Sequence, residues 1–134
     1  MPGLSLQSAQ EMIARAQKKA EQLGVKVSIW VLDSSGVPLA FARMDGADIH
    51  THEIALAKAY TAVGFSKNTM ELVEEMKNNP LDANGLMHAG KGKYIFIGGG
   101  VVANKNGLML GAIGVSGAEA FQDHDCGLEA ISTL

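Results

Sequence analysis

Residues 97–117, IGGGVVANKNGLMLGAIGVSG, decide the fold of this chain. Aliphatic and β-branched residues alternate there with Gly98, Gly99, Gly100, Gly107, Gly111, Gly114 and Gly117. Glycine weakens a strand, because it packs nothing and loses the most backbone freedom. Its repetition inside strands means that something lies close against the backbone: a helix, a second subunit or a ligand. The segment Asn104-Lys-Asn-Gly107 is a hairpin turn signal, so the strands at 101–103 and 108–116 run antiparallel. Period-two alternation puts Ala112, Gly114 and Ser116 on one face and Gly111, Ile113, Val115 and Gly117 on the other. The first face is almost bare, and tight helix packing is favoured over a ligand floor. Neither glycine cluster is a phosphate loop. No Lys-Ser or Lys-Thr follows the glycines as Walker A requires, and GAIGVSG departs from the dinucleotide fingerprint.

Outward from this segment, the pattern alternates between helices and hairpins. Leu6, Ala9, Met12, Ile13, Ala16, Ala20 and Leu23 recur at helical spacing. Ser5 or Ser8 caps that helix, Ser8-x-x-Glu11 has capping-box form, and Gly24 suits the stop. Residues 25–33 read as a strand with Val25, Val27, Ile29 and Val31 on one face. Asp33-Ser-Ser-Gly36 turns the chain into a second strand at 37–43, followed by a loop at 44–47. Residues 50–65 form an alanine-rich helix. Thr69 caps a short helix at 70–78, which Asn79-Pro80 ends. Residues 81–93 read as a long loop and 94–97 as a further strand. A last helix at 118–131 turns Phe121 and Leu128 inward. The fold class expected is α+β: a single antiparallel sheet of about five strands flanked by helices.

The 134 residues predict a single domain spanning 1–134, large enough to bury a core without staples. Aromatics are only 5% of the chain, so that core must be aliphatic. A net charge of −3 argues against nucleic acid as partner, since phosphate contacts need clustered Lys and Arg. The lone Cys126 excludes an internal disulfide and favours a reducing compartment. The start MPGLSLQSAQ lacks the features of a signal peptide, and no apolar run approaches membrane-span length. A cytoplasmic location without membrane contact is expected.

No histidine pair has zinc-site spacing. His50 and His52 diverge on a helix, although His50 with Glu53 could share an ion. His88 falls in the long loop. His50, His52 and His124 remain the candidate metal or axial haem ligands, since haem needs one well-placed imidazole and an apolar slot. Cys126 has no adjacent base and reads as a buried inert thiol. Arg43 and Asp45 flank a strand end, where they brace the loop or bind an anionic group.

Four segments together resemble a known family: FARMDGA at 41–47, THEIALAKAYTA at 51–62, IFIGGGVV at 95–102 and GAIGVSGAEAFQDHDCGLEA at 111–130. The chain is similar to GlcG/HbpS-like haem-degrading or haem-binding domains, a group that includes the PduO C-terminal domain and OrfY-like proteins. The resemblance covers nearly the whole chain. It implies α/β/α layers of profilin-like type, assembly as a homo-oligomer (a dimer or larger ring) and haem as a candidate cofactor. It also implies an association with glycolate, diol or glycerol catabolism. The family's implicated haem histidine lies near the N-terminal helix, yet residues 5–24 here contain no histidine, so that ligand does not carry over. The matching motif positions are Arg43, Asp45, Gly46, Lys58, Gly98, Gly99, Gly100, Gly114, Ser116, Gly117 and Asp123.

The expected function is an oligomeric binding protein for haem, another tetrapyrrole or a small anionic metabolite. Its expected ligand-binding residues are Arg43, Asp45, Gly46, His52, Lys58, Gly98, Gly99, Gly100 and Ser116. The alternatives are an enzyme in which Arg43 orients a carboxylate with His52 or Asp45 as acid or base, and an accessory subunit of a catabolic system. The triple glycine is expected close to the Arg43–Gly46 loop.

Overall fold

Two hairpins set the sheet. In the first, the Asp33 carboxylate accepts hydrogen bonds from the backbone N–H of Ser35 (2.9 Å) and Val37 (3.0 Å). This Asx-type turn joins β1 (Ser28–Asp33) to β2 (Pro38–Arg43). In the second, Asn106 (φ 53°) and Gly107 (φ 76°) both adopt left-handed backbone. That is the two-residue turn whose twist matches flanking strands, and it joins β3 (Gly100–Lys105) to β4 (Leu108–Ser116). The computed structural model describes residues 3–134. β4 pairs with β1, so the sheet order is β2-β1-β4-β3 and every pairing is antiparallel.

The sheet has four strands, against the five expected. Residues 94–97 stay outside it. Their backbone is tied to a helix instead, through the Ile95 N–H and the Thr61 hydroxyl at 2.8 Å. Tyr94 and Phe96 pack edge-on against Phe65, so side-chain packing on the helix replaces strand pairing. The free edge of β3 is blocked by side chains, which protects it from pairing with another chain. The Thr69 hydroxyl accepts from Gly100 N–H at 2.8 Å, and Asn68 Oδ1 accepts from Val102 N–H at 2.9 Å.

Helices cover both faces. α1 (Leu6–Leu23) begins at Ser5, whose hydroxyl accepts from Ser8 N–H, and ends at Gly24 in left-handed conformation. The box at Ser8 and Glu11 is therefore not the cap. α5 (Ala120–Ile131) carries a capping box of its own, between Glu119 and Gln122. α1 and α5 pack together on one face, over Ile29, Val31, Val101, Ile113 and Val115. Each such fully buried aliphatic side chain contributes about 1.5–3 kcal/mol. Phe121 and Leu128 are not inward: they are 61% and 40% exposed. The buried face of α5 is Asp123, Cys126, Gly127 and Ala130, because the helix lies too near the sheet for large side chains. A Cβ on Gly127 would lie 2.5 Å from the Val101 side chain.

α2 (Thr51–Phe65) covers the opposite face alone, with Thr51, Ala55, Lys58, Ala59, Thr61 and Ala62 buried. The bare stripe of β4 seats it. A Cβ on Gly114 would stand 2.0 Å from the Ala55 carbonyl oxygen, so backbone meets backbone and only glycine fits. Beyond α2, Asn68 rather than Thr69 occupies the N-cap position of α3 (Thr69–Met76). The expected loop at 81–93 contains α4 (Pro80–Ala89), which has no buried residue. Pro80 starts this helix rather than merely ending the preceding one, since proline needs no N–H in a first turn.

Candidate functional site

A single lysine on the inward stripe of α2 organises the end of the sheet. Lys58 lies seven residues, two turns, beyond Thr51, so the helix period places both on the sheet-facing side. At 2% exposure it is among the largest fully buried side chains. Its Nζ donates to the Val115 carbonyl oxygen and to Asp123 Oδ2, both at 2.9 Å. The other oxygen of Asp123 accepts from Ala118 N–H at 3.0 Å, at the entrance to α5. The lysine can take this path because residue 99 is glycine. A Cβ there would stand 2.8 Å from Nζ, and its φ of +133° disfavours other residues.

Burial acts on both members of the pair in the same sense. Desolvation pulls the Lys58 ammonium below the usual lysine range, against the attraction and hydrogen bond of Asp123. Desolvation likewise pushes the Asp123 carboxyl above the usual carboxylate range, against Lys58 and the backbone N–H groups of Ala118 and Gly117. The charge on each group is thus opposed by burial and supported by its partner.

The pair lines a cleft of about 220 Å³ with Asp48, His50, Thr51, Ile54, Ser116 and Ala120. Ile97, Gly117 and Ala118 complete its wall. Thr51 and Ala120 are the first residues of α2 and α5, so two helix N-termini border one space. Thr51 is locked by hydrogen bonds between its hydroxyl and both the Ser28 hydroxyl and the Asp48 carbonyl oxygen, each 2.8 Å.

The residues expected to bind ligand fall into two groups. Lys58 and Ser116 line the cleft, as does the metal-ligand candidate His50. Gly98, Gly99 and Gly100 are buried beside it, with Gly98 against Met70 and Gly100 against the Lys58 carbonyl. Arg43, Asp45 and Gly46 lie elsewhere. Arg43 pairs with Ser28, which pairs with Ser116, so it stands on the opposite sheet edge from the triple glycine. Three strand spacings, roughly 14 Å, separate them, so the two motifs are not adjacent as expected. The Arg43 guanidinium reaches its own loop at Ala47 O, 3.5 Å away, and Gly46 packs on the Lys26 side chain. His52 is outside the cleft, its carbonyl accepting from Trp30 Nε1 at 2.9 Å. His124 lies on α5 with a buried Nδ1 that has no hydrogen-bond partner among the described residues. His88 is exposed on α4.

The pairing of Lys58 with Asp123 was not foreseen, although both positions belong to the recognised motifs. A lysine at an inward helical position, among alanines, was the available signal.

A four-stranded antiparallel sheet with one helix on one face and two on the other, and a cleft at its end, defines the class. The chain belongs to the HbpS-like family, whose model for "Haem degrading protein HbpS-like" matches residues 4–132. It is 34% identical over 131 residues to the corrinoid adenosyltransferase PduO of Citrobacter freundii. That match covers 98% of this chain but 39% of PduO, so the chain spans about two-fifths of that relative's length. Among solved structures, the PduOC:heme complex superposes with a TM-score of 0.90 at 31% identity, covering 98% of this chain and 95% of that one. Klebsiella pneumoniae ORFY superposes with a TM-score of 0.89 at 32% identity, covering 96% and 88%. Among the described residues no helix is long and apolar enough to cross a membrane.

Proposed function

We propose that this chain is a small-molecule binding module, assembled as a homo-oligomer, whose ligand is a small anionic metabolite held in the Lys58–Asp123 cleft. One observation carries the reading: the first residues of α2 and α5 both border the cleft that Lys58 lines. Helix N-termini favour an anion such as a carboxylate. The volume, about 220 Å³, is below that of drug-sized pockets and suits a ligand of few atoms. Exposed Ile49 and Phe121 are chain neighbours of cleft residues, and exposed Ile97 is in its wall, which supplies apolar surface for a second copy at the mouth.

Native mass spectrometry of freshly isolated protein, followed by calorimetric titration with small mono- and dicarboxylates, tests this. A multimer carrying, or saturably binding, a carboxylate supports it, with binding weakened at least tenfold in Ser116→Val or His50→Ala. A monomer that binds no carboxylate refutes it.

Haem is the second reading, favoured by the heme complex of the relative PduOC. The cleft is too small and too polar for a porphyrin, but the surface at its mouth suits one. His50 is exposed there beside Ile49, itself 81% exposed, so imidazole and apolar surface are adjacent. His50 would be the axial ligand, and the bound iron would supply redox chemistry. Hemin titration decides: a Soret shift abolished by His50→Ala supports this reading. A shift no larger than an albumin-like background, unchanged in variants of His50, His52 and His124, removes it.

A further inference from the structure

We propose that Lys58 forms a reversible covalent imine with a small aldehyde or keto acid admitted to the cleft, and that Asp123 moves the protons. The proposal deepens the cleft assignment and rests on it.

Four observations converge on this chemistry. The first is position: Lys58, though only 2% exposed, lines a small cleft together with Asp123. The second is valence. An ammonium has three N–H groups, and two are spent on Val115 O and Asp123 Oδ2. The third has no protein partner among the described residues, so after a proton has passed to Asp123 rotation about the Cε–Nζ bond can turn the resulting lone pair into that free direction. The third observation is a proton acceptor at 2.9 Å, within transfer distance. The fourth is the burial of both groups, which works against the charge on each and so weakens the amine's hold on its proton. A lysine desolvated in this way is the usual form of an amine nucleophile.

The step balances without a further reactant. Lys58 passes one proton to Asp123 Oδ2 and the free amine adds to the carbonyl carbon. The C=O π pair moves to oxygen, which takes the proton held by Asp123, and the Asp123 carboxylate then removes the second proton from nitrogen, giving a neutral carbinolamine. Asp123 then protonates the hydroxyl, which leaves as water while the nitrogen lone pair forms the C=N bond. Water addition reverses the sequence. Asp123 remains held throughout by Ala118 N–H, so its oxygen stays aimed at the reacting nitrogen.

The neutral fraction of an amine at pH 7 rises about tenfold for each unit its pKa falls below the ordinary lysine value. Lys18, Lys26, Lys67, Lys77, Lys91, Lys93 and Lys105 are exposed and serve as internal references. The native protein is incubated at pH 7 with acetaldehyde or pyruvate and limiting cyanoborohydride, and each lysine is scored by peptide mapping. Lys58 is expected to be alkylated about tenfold or more faster than the exposed lysines, and to lose that advantage in guanidinium. Native protein alkylated only at exposed lysines overturns the proposal. Asp123→Asn, checked for folding by circular dichroism, is expected to leave Lys58 a free amine, its pKa lower still without the counter-charge, yet to lose the rate advantage because the carbinolamine hydroxyl has no proton donor. A folded variant that keeps the advantage refutes the role of Asp123. Carboxylate binding with no Lys58 adduct sinks the imine and leaves the cleft assignment standing; loss of both sinks both.

Discussion

Removing one partner of the Lys58–Asp123 pair should cost far more than removing both. At 2.9 Å and an effective dielectric of about 20, two unit charges attract by about 6 kcal/mol. Desolvation of two buried ions consumes several kcal/mol each, so the net value of the intact pair is near zero relative to apolar residues. A single change strands the other charge. Asp123→Asn and Lys58→Met are each expected to lower unfolding free energy by about 3–5 kcal/mol at pH 7. The double variant is expected to recover most of that loss, within about 1 kcal/mol of the parent. The pH dependences of the single variants are opposite. In Asp123→Asn, Lys58 loses its counter-charge and its folded pKa falls further below the unfolded value. The unfolded chain then binds more protons, so the deficit narrows as pH rises toward 10. In Lys58→Met, the Asp123 carboxyl is raised further, the folded chain binds more protons, and the deficit narrows as pH falls toward 4. Urea unfolding at pH 5, 7 and 9 on all four proteins gives the cycle. A coupling below about 1 kcal/mol, or single variants with the same pH slope, would refute the reasoning.

Gly114→Ala is expected to destabilise by about 3 kcal/mol or more in denaturant unfolding, since its Cβ would enter the Ala55 carbonyl. Trp30→Phe keeps the stack on Phe41 (ring centroids 4.4 Å apart) but removes the bond to His52 O. A loss of about 1 kcal/mol is expected by the same measurement. Burial first, then Asp123 and Asp125, push the Cys126 thiol up to about 11. It should therefore resist a thiol-specific disulfide reagent at pH 8 until the protein is unfolded, and rapid labelling of native protein would contradict its placement.

Strand alternation and turn residues were legible wherever each side chain had one neighbour to answer to. Ile29, Val31, Ile113 and Val115 face the core as their spacing requires, and the two hairpins lie where Asp33 and Gly107 announce them. The strand at 94–97 was misread because Tyr94 and Phe96 suit a strand and an aromatic cluster equally. Their partner Phe65 is remote in sequence. Phe121 and Leu128 misled for a related reason. Apolar size usually marks an inner face, but α5 approaches the sheet on Gly127 and Ala130, where size is excluded. Within the cleft, Lys58 and Ser116 were legible from recognised motifs. Their geometry was not, because a lysine's partner across 65 residues leaves no local periodicity.

The route taken by Lys58 has a mechanical consequence. α2 lies on one side of the sheet and α5 on the other, yet one side chain rounds the sheet end beside Gly99 to join them. The outer layers are thereby fastened to each other as well as to the strands between them. Neither layer can peel away without exposing an unpaired charge, so the opening of one entails the opening of both. In hydrogen exchange, the inward amides of α2 and those of the first turns of α5 should share a single opening free energy. The exposed helix α4, which is fastened to nothing of this kind, should exchange far sooner.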